Sequence, residues 1–91
     1  VIVLGGSGPA EHDRRRPNID WIHAANVQGE AVRAYTKWDH EPRSLASVQT
    51  VLARAYRIAM EEPRGPVYVA LDAGLQEAPL DAPVDLSDLP R

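Results

Sequence analysis

Arg64-Gly65-Pro66-Val67-Tyr68-Val69-Ala70-Leu71-Asp72 is the stretch that decides the fold of this 91-residue chain. Pro63, Gly65 and Pro66 close the segment before it, and a run of β-prone residues starts at once. Residues 67–71 mix Val, Tyr, Ala and Leu without polar alternation, the pattern of a strand buried on both faces of a parallel sheet. A second apolar run, Val1-Ile2-Val3-Leu4, stops at Gly5-Gly6-Ser7-Gly8-Pro9. A chain that opens inside a buried strand, with no initiator Met, is expected to be part of a larger domain.

Between these runs the spacing turns helical. Ser44 is a good N-cap for a helix reaching about residue 62, with Leu45, Val48, Leu52, Ala55 and Ala59 as its apolar stripe. Val51, Ile58 and Met60 broaden that stripe and predict heavy burial. Asn18 can cap a shorter helix from Ile19, with Ile19, Ile22, His23, Asn26 and Val27 on one face and Gly29 as its stop. A strand is expected over 34–38, and His40-Glu41-Pro42-Arg43 reads as a turn. Residues 1–80 then form the domain portion, and 81–91, with Pro83 and Pro90, a linker toward a following domain.

Strand, helix, strand, helix, strand is an α/β order that implies parallel pairing and right-handed crossovers. The fold expected is the βαβαβ portion of a doubly wound, flavodoxin-like sheet. Such sheets bind ligands beyond the carboxyl ends of their strands. Here those ends are Gly5-Gly6-Ser7-Gly8, Trp38-Asp39-His40 and Asp72-Ala73-Gly74.

Composition narrows the function classes. A net charge of −3, with basic residues scattered apart from Arg14-Arg15-Arg16, does not favour nucleic acid. That arginine run reads as a solvated loop or a subunit contact. The chain contains no Cys, so it carries neither disulfides nor a thiolate metal site, which fits a cytoplasmic location. No apolar run nears the roughly 20 residues of a membrane span. His12, His23 and His40 lack metal-ligand spacing. Gly5-Gly6-Ser7-Gly8 lacks the dinucleotide fingerprint and is followed by no Lys-Ser/Thr pair, so a sharp turn using glycine's positive φ competes with phosphate binding. His23 reads either as a hydrogen-bonded histidine on a helix face or as a pocket residue.

Taken together, Val1-Ile2-Val3-Leu4-Gly5-Gly6, Tyr35-Thr36-Lys37-Trp38 with Glu41-Pro42, Arg54-Ala55-Tyr56-Arg57-Ile58-Ala59 and Gly65-Pro66-Val67-Tyr68-Val69 occur in a familiar order. The chain resembles the second half of the N-terminal, pyrimidine-binding domain of thiamine-diphosphate enzymes of the acetolactate synthase and benzoylformate decarboxylase type. The resemblance covers roughly residues 1–80.

It implies a lyase or transferase that decarboxylates or carboligates 2-keto acids, with thiamine diphosphate and Mg²⁺ as cofactors. The cofactor supplies the electron sink for loss of carbon dioxide. A flavin (FAD) is compatible with the family, though no residue here indicates one. The implied partners are the remainder of the polypeptide, a further copy in a homodimer or homotetramer, and the 2-keto acid; nucleic acid and membrane are not among them. The proton-relay Glu and the Gly-Asp-Gly…Asn metal motif of the family have no counterpart in these residues, so the 91 residues alone are expected to be inactive.

Gly6 matches the glycine that ends the family's corresponding strand, and Ser7 stands where a Gln is common; both are implied cofactor neighbours. Counting back from Lys37, His23 falls where synthases carry the Gln of a Phe-Gln-Glu segment and benzoylformate decarboxylase carries an apolar pocket residue, which implies a place in the substrate pocket. Ile22 and Ala24 take the flanking positions, and loss of that Gln and Glu points to another 2-keto acid or acyl acceptor than the synthase's. The competing reading is a small non-catalytic flavodoxin-like binding or scaffold domain.

Overall fold

The computed structural model describes residues 1–19, 25–85 and 87. Three strands, β1 (Ile2–Ser7), β2 (Trp38–His40) and β3 (Val67–Asp72), form one all-parallel sheet in the order β1-β3-β2. Between β2 and β3 lies helix α1 (Leu45–Met60), and a short helix α2 (Ala73–Glu77) leaves the end of β3. This is an α/β arrangement with the deciding stretch as its central strand.

β3 is buried on both faces, as its unalternating sequence predicts: Val67 and Val69 are fully enclosed, and Ala70 and Asp72 nearly so. Side chains alternate along a strand, so Val67, Val69 and Leu71 share one face. α1 packs there through Val51, Ala55 and Ala59, with Trp38, Leu52 and Ile58 around them. A reciprocal capping box starts the helix, Ser44 Oγ accepting from the Ser47 amide and Ser47 Oγ accepting from the Ser44 amide. Its far end is held by Lys37, whose ammonium donates to the carbonyls of Ile58 at 2.6 Å and Glu61 at 2.7 Å. A cation at a helix C-terminus also meets the negative end of the helix dipole. Met60 was expected in the buried stripe but is 44% exposed, because the stripe turns away from the sheet after Ala59.

The opposite face is crossed by residues 28–35, which form two short 3-10 turns, Gln28–Ala31 and Arg33–Tyr35. Three contacts pin this segment across the whole sheet. Gln28 Nε2 donates to the Gly6 carbonyl of β1 at 2.7 Å, Tyr68 Oη of β3 donates to Gln28 Oε1 at 2.7 Å, and Arg33 pairs with Asp39 of β2 at 2.8 Å. Gly29 lies against Asp39 so closely that a Cβ would run into its carboxylate.

Several sequence expectations are corrected here. Gly29 does not stop a helix; it sits inside a 3-10 turn, and residues 25–27 before it are not helical. The middle of the helix expected from Ile19, with Ile22 and His23, lies outside the described residues. The second strand is Trp38–His40 rather than 34–38, because Arg33–Tyr35 is taken up by the crossing segment and Tyr35 points to solvent, 80% exposed. β1 does not end at Leu4. It runs on through Gly5, Gly6 and Ser7, in register with Ala70, Leu71 and Asp72. No glycine among the described residues has a positive φ, so the turn reading of the Gly run is wrong. Gly5 is required by a neighbour instead: a Cβ there would enter the Tyr68 phenol ring.

The two sheet edges differ. β2 is three residues long and is flanked by Lys37 and carries Asp39 and His40, features that discourage strand addition. β1 carries no charge over its first five residues, and Val1, Val3 and Leu4 are 84%, 43% and 59% exposed. No helix among the described residues is long and apolar enough to cross a membrane.

The Arg33–Asp39 pair gives the sheet one acid-sensitive tie. The Arg33 guanidinium donates Nε–H and NH2 protons to both carboxylate oxygens, at 2.9 and 2.8 Å, and holds the Asp39 carboxyl below the usual range. A depressed folded value contributes stability that is complete above the unfolded pKa of about 3.9 and is lost as pH falls through the folded value. Asp39→Asn is therefore expected to flatten the acid limb of the stability curve below about pH 4 and to leave its shape above pH 6 unchanged. Urea titrations at pH 3, 4 and 7 read this directly. An unchanged acid limb in the variant would show that the pair is not coupled to folding.

Candidate functional site at the carboxyl edge of the sheet

The three strands deliver their carboxyl ends to one edge. Ser7 ends β1 opposite Asp72, which ends β3, and Glu41 follows β2 directly. A polar cavity of about 250 Å³ opens there, lined by Ser7, Arg15, Asn26, Glu41, Arg43 and Asp72 among others. A neighbouring cavity of about 270 Å³ shares Arg43 and Asp72 with it.

Each wall is held by its own local structure. Asp72 is buried, 5% exposed, and its Oδ1 accepts from the Leu75 amide at 3.2 Å, so it caps α2. Arg15 is tethered by its Nε, which donates to the Pro9 carbonyl at 2.6 Å. Ser7 Oγ donates to the Gly8 carbonyl at 3.2 Å. Pro42 is fully buried and separates Glu41 from Arg43, both of which face the cavity.

Of the residues singled out from sequence, Ser7 lines the cavity. Gly6 stands one position back, between two glutamines. Gln28 takes its carbonyl on one side, and on the other Gln76, which donates to the Leu71 carbonyl at 2.7 Å, would lie 3.3 Å from a Cβ at Gly6. His23 lies outside the described residues. Arg15, Arg43 and Glu41 were seen in the sequence only as an arginine run and a turn. Their convergence depends on Pro9 and Pro42 being packed inward, which spacing does not reveal.

A larger groove of about 690 Å³ runs between α1 and the segment after α2, lined by Leu45, Val48, Leu52, Leu75, Leu80 and Val84. It is mainly apolar and brings no titratable cluster together. Among the described residues no three His, Asp or Glu side chains are grouped so as to hold a metal ion.

Trp38 carries a separate stack on the α1 face of β2. His40 lies parallel to it at 5.4 Å between ring centroids, and the Arg54 guanidinium sits 5.7 Å from the Trp38 ring. This cluster tightens α1 onto the short edge strand. No family model matches the chain, and no curated protein shows significant similarity to it.

Proposed function

We propose that the chain is a portion of the pyrimidine-binding domain of a thiamine-diphosphate enzyme that decarboxylates or carboligates 2-keto acids. Supporting this reading above all is the adjacency of two of the motifs that carry the resemblance. The Val-Leu-Gly-Gly-Ser strand and the Gly-Pro-Val-Tyr strand run parallel and in register, with Gly6 beside Leu71, and open together on the polar cavity. A flavodoxin-like sheet continuing beyond β1 is part of the same proposal, and the uncharged, exposed β1 edge suits it.

The cavity offers a hydroxyl, an amide, guanidinium groups and carboxylates within about 250 Å³, which suits the polar edge of a heteroaromatic ring. Ser7 and the backbone after Gly6 would hold that edge. The resemblance implies that a separate domain holds the diphosphate and its Mg²⁺, so this portion is assigned the ring. When bound, the cofactor supplies the electron sink for decarboxylation. The chain's own contribution is to position the ring and limit the water around it.

Charge-assisted contacts to the diphosphate provide most of the affinity in such a site. The 91 residues are accordingly expected to bind thiamine diphosphate with Mg²⁺ no more tightly than about millimolar, near −4 kcal/mol. Isothermal calorimetry reads this, and sub-micromolar binding would overturn the division of labour proposed here.

A further inference from the structure

Gln28 is half-buried and uses both ends of its amide. Its Oε1 accepts from Tyr68 Oη of β3 at 2.7 Å, and its Nε2 donates to the Gly6 carbonyl of β1 at 2.7 Å. The direction of that carbonyl follows from the ladder, because carbonyls alternate in direction along a strand. The Val67 amide donates to the Val1 carbonyl, so the carbonyls of Val1, Val3, Gly5 and Ser7 face β3. Those of Ile2, Leu4 and Gly6 face the open edge, and Gln28 supplies the donor that a neighbouring strand would give.

The place of this bond gives it its meaning. Gly6 has no side chain to restrict its backbone, and the peptide it shares with Ser7 leads directly into the polar cavity. A trans peptide is planar, so holding the Gly6 carbonyl also fixes the Ser7 N–H on the opposite side. Tyr68 is itself seated over Gly5, where a Cβ would enter its ring. Tyr68, Gln28 and Gly6 thus form a clamp from the central strand to the backbone beside the site. Arg33 already ties the crossing segment to Asp39 of β2, whereas Gln28 acts on the one soft peptide before Ser7.

We propose that Gln28 is a positioning residue, setting the Gly6–Ser7 peptide, and through it Ser7, against the heteroaromatic ring. The inference rests on the ring reading given above. One substitution separates positioning from mere support. In Q28E the protonated carboxyl reproduces both bonds, its C=O accepting from Tyr68 and its O–H donating to Gly6. The ionised carboxylate can only accept, and it repels the Gly6 carbonyl. Hydrogen bonds made by the neutral form raise its pKa above about 4.3, so the clamp is remade near pH 4 and broken at pH 7.

The test uses the ¹³C,¹⁵N-labelled 91-residue chain, with 4-aminopyrimidine, a ring without diphosphate, as the probe. At pH 7 the probe is expected to shift the Ser7 and Gly8 amides of the parent saturably, with a Kd on the order of 10 mM. Q28E is expected to displace the Gly6 carbonyl and Ser7 amide signals at pH 7 and to return them to the parent positions at pH 4. Its ring affinity at pH 7 should fall at least about threefold, as expected for one neutral hydrogen bond. Y68F keeps the aromatic ring over Gly5 and frees one end of Gln28, so it should move the same signals by less. Ser7 signals that ignore Q28E, or that fail to return at pH 4, would overturn the proposal. So would ring binding as tight in Q28E as in the parent. No saturable ring binding to the parent up to about 100 mM would instead overturn the ring reading and, with it, this role of Gln28.

Discussion

Gly5→Ala is expected to destabilise the chain by about 2 kcal/mol, against the usual trend for glycine in a strand. Glycine inside a strand ordinarily costs roughly 0.5–1 kcal/mol relative to alanine, so the substitution would be favourable were the space open. It is closed by Tyr68, whose phenol lies over Gly5 and whose hydroxyl donates to Gln28 at 2.7 Å. Moving the ring breaks that bond and loosens the Gln28 contact to the Gly6 carbonyl, which ties the crossing segment to β1. The loss should therefore be recovered by a second change. Gly5→Ala combined with Tyr68→Val is expected to show a coupling of at least about 1 kcal/mol in a double-mutant cycle by urea unfolding. Gly6→Ala is the control, since its nearest obstacle is the Gln76 amide at 3.3 Å, the end of an exposed side chain. It should stay within about 0.5 kcal/mol of the parent. A neutral Gly5→Ala with no coupling to Tyr68 would show that the ring does not rest there in solution.

Ala55→Leu should cost about 2–3 kcal/mol, because α1 meets β3 at its closest approach through Ala55 and Ala59, which are 0% and 5% exposed. Three extra carbons there have no cavity to enter and would lift the helix from Val67 and Val69. For a domain of this size each kcal/mol lowers the Tm by roughly 4–8 °C, so a fall of about 10–20 °C is expected. Leu45→Ala is the comparison. Leu45 belongs to the same apolar stripe but lines the open groove, so its truncation should cost well under the roughly 2–5 kcal/mol of a buried leucine. Thermal unfolding of the two variants ranks the faces of α1. Equal losses would contradict the packing described.

The order of these costs also shows what could be read from the sequence. β3 was legible because its burial on both faces removes all polar alternation, and α1 because Ser44 and the apolar spacing agree. Parallel pairing followed from the alternation of strand and helix, and the edge that carries the candidate site followed from the pairing. Local reading did not place Gly5 in β1, and only the family resemblance put Gly6 at a strand's end. Glycine reads locally as turn, and its true reason is Tyr68, 63 positions away and visible only once β1 and β3 are in register. The crossing segment was missed for a similar cause. Gln28, Arg33 and Asp39 earn their places by polar contacts across the sheet, which leave no periodicity. At the candidate site, Ser7 was found because it follows a strand, whereas Glu41 and Arg43 were passed over as turn residues because Pro42 suggested a bend and not a buried anchor.

The proposed membership in a thiamine-diphosphate enzyme is tested most directly by reading the coding sequence on both sides of these residues. The account predicts, upstream, a glutamate within a helix that precedes β1. Downstream it predicts a Gly-Asp-Gly…Asn motif able to hold Mg²⁺ and diphosphate. An open reading frame containing neither would contradict it, and the parallel sheet would then belong to a small binding domain with no such chemistry attached.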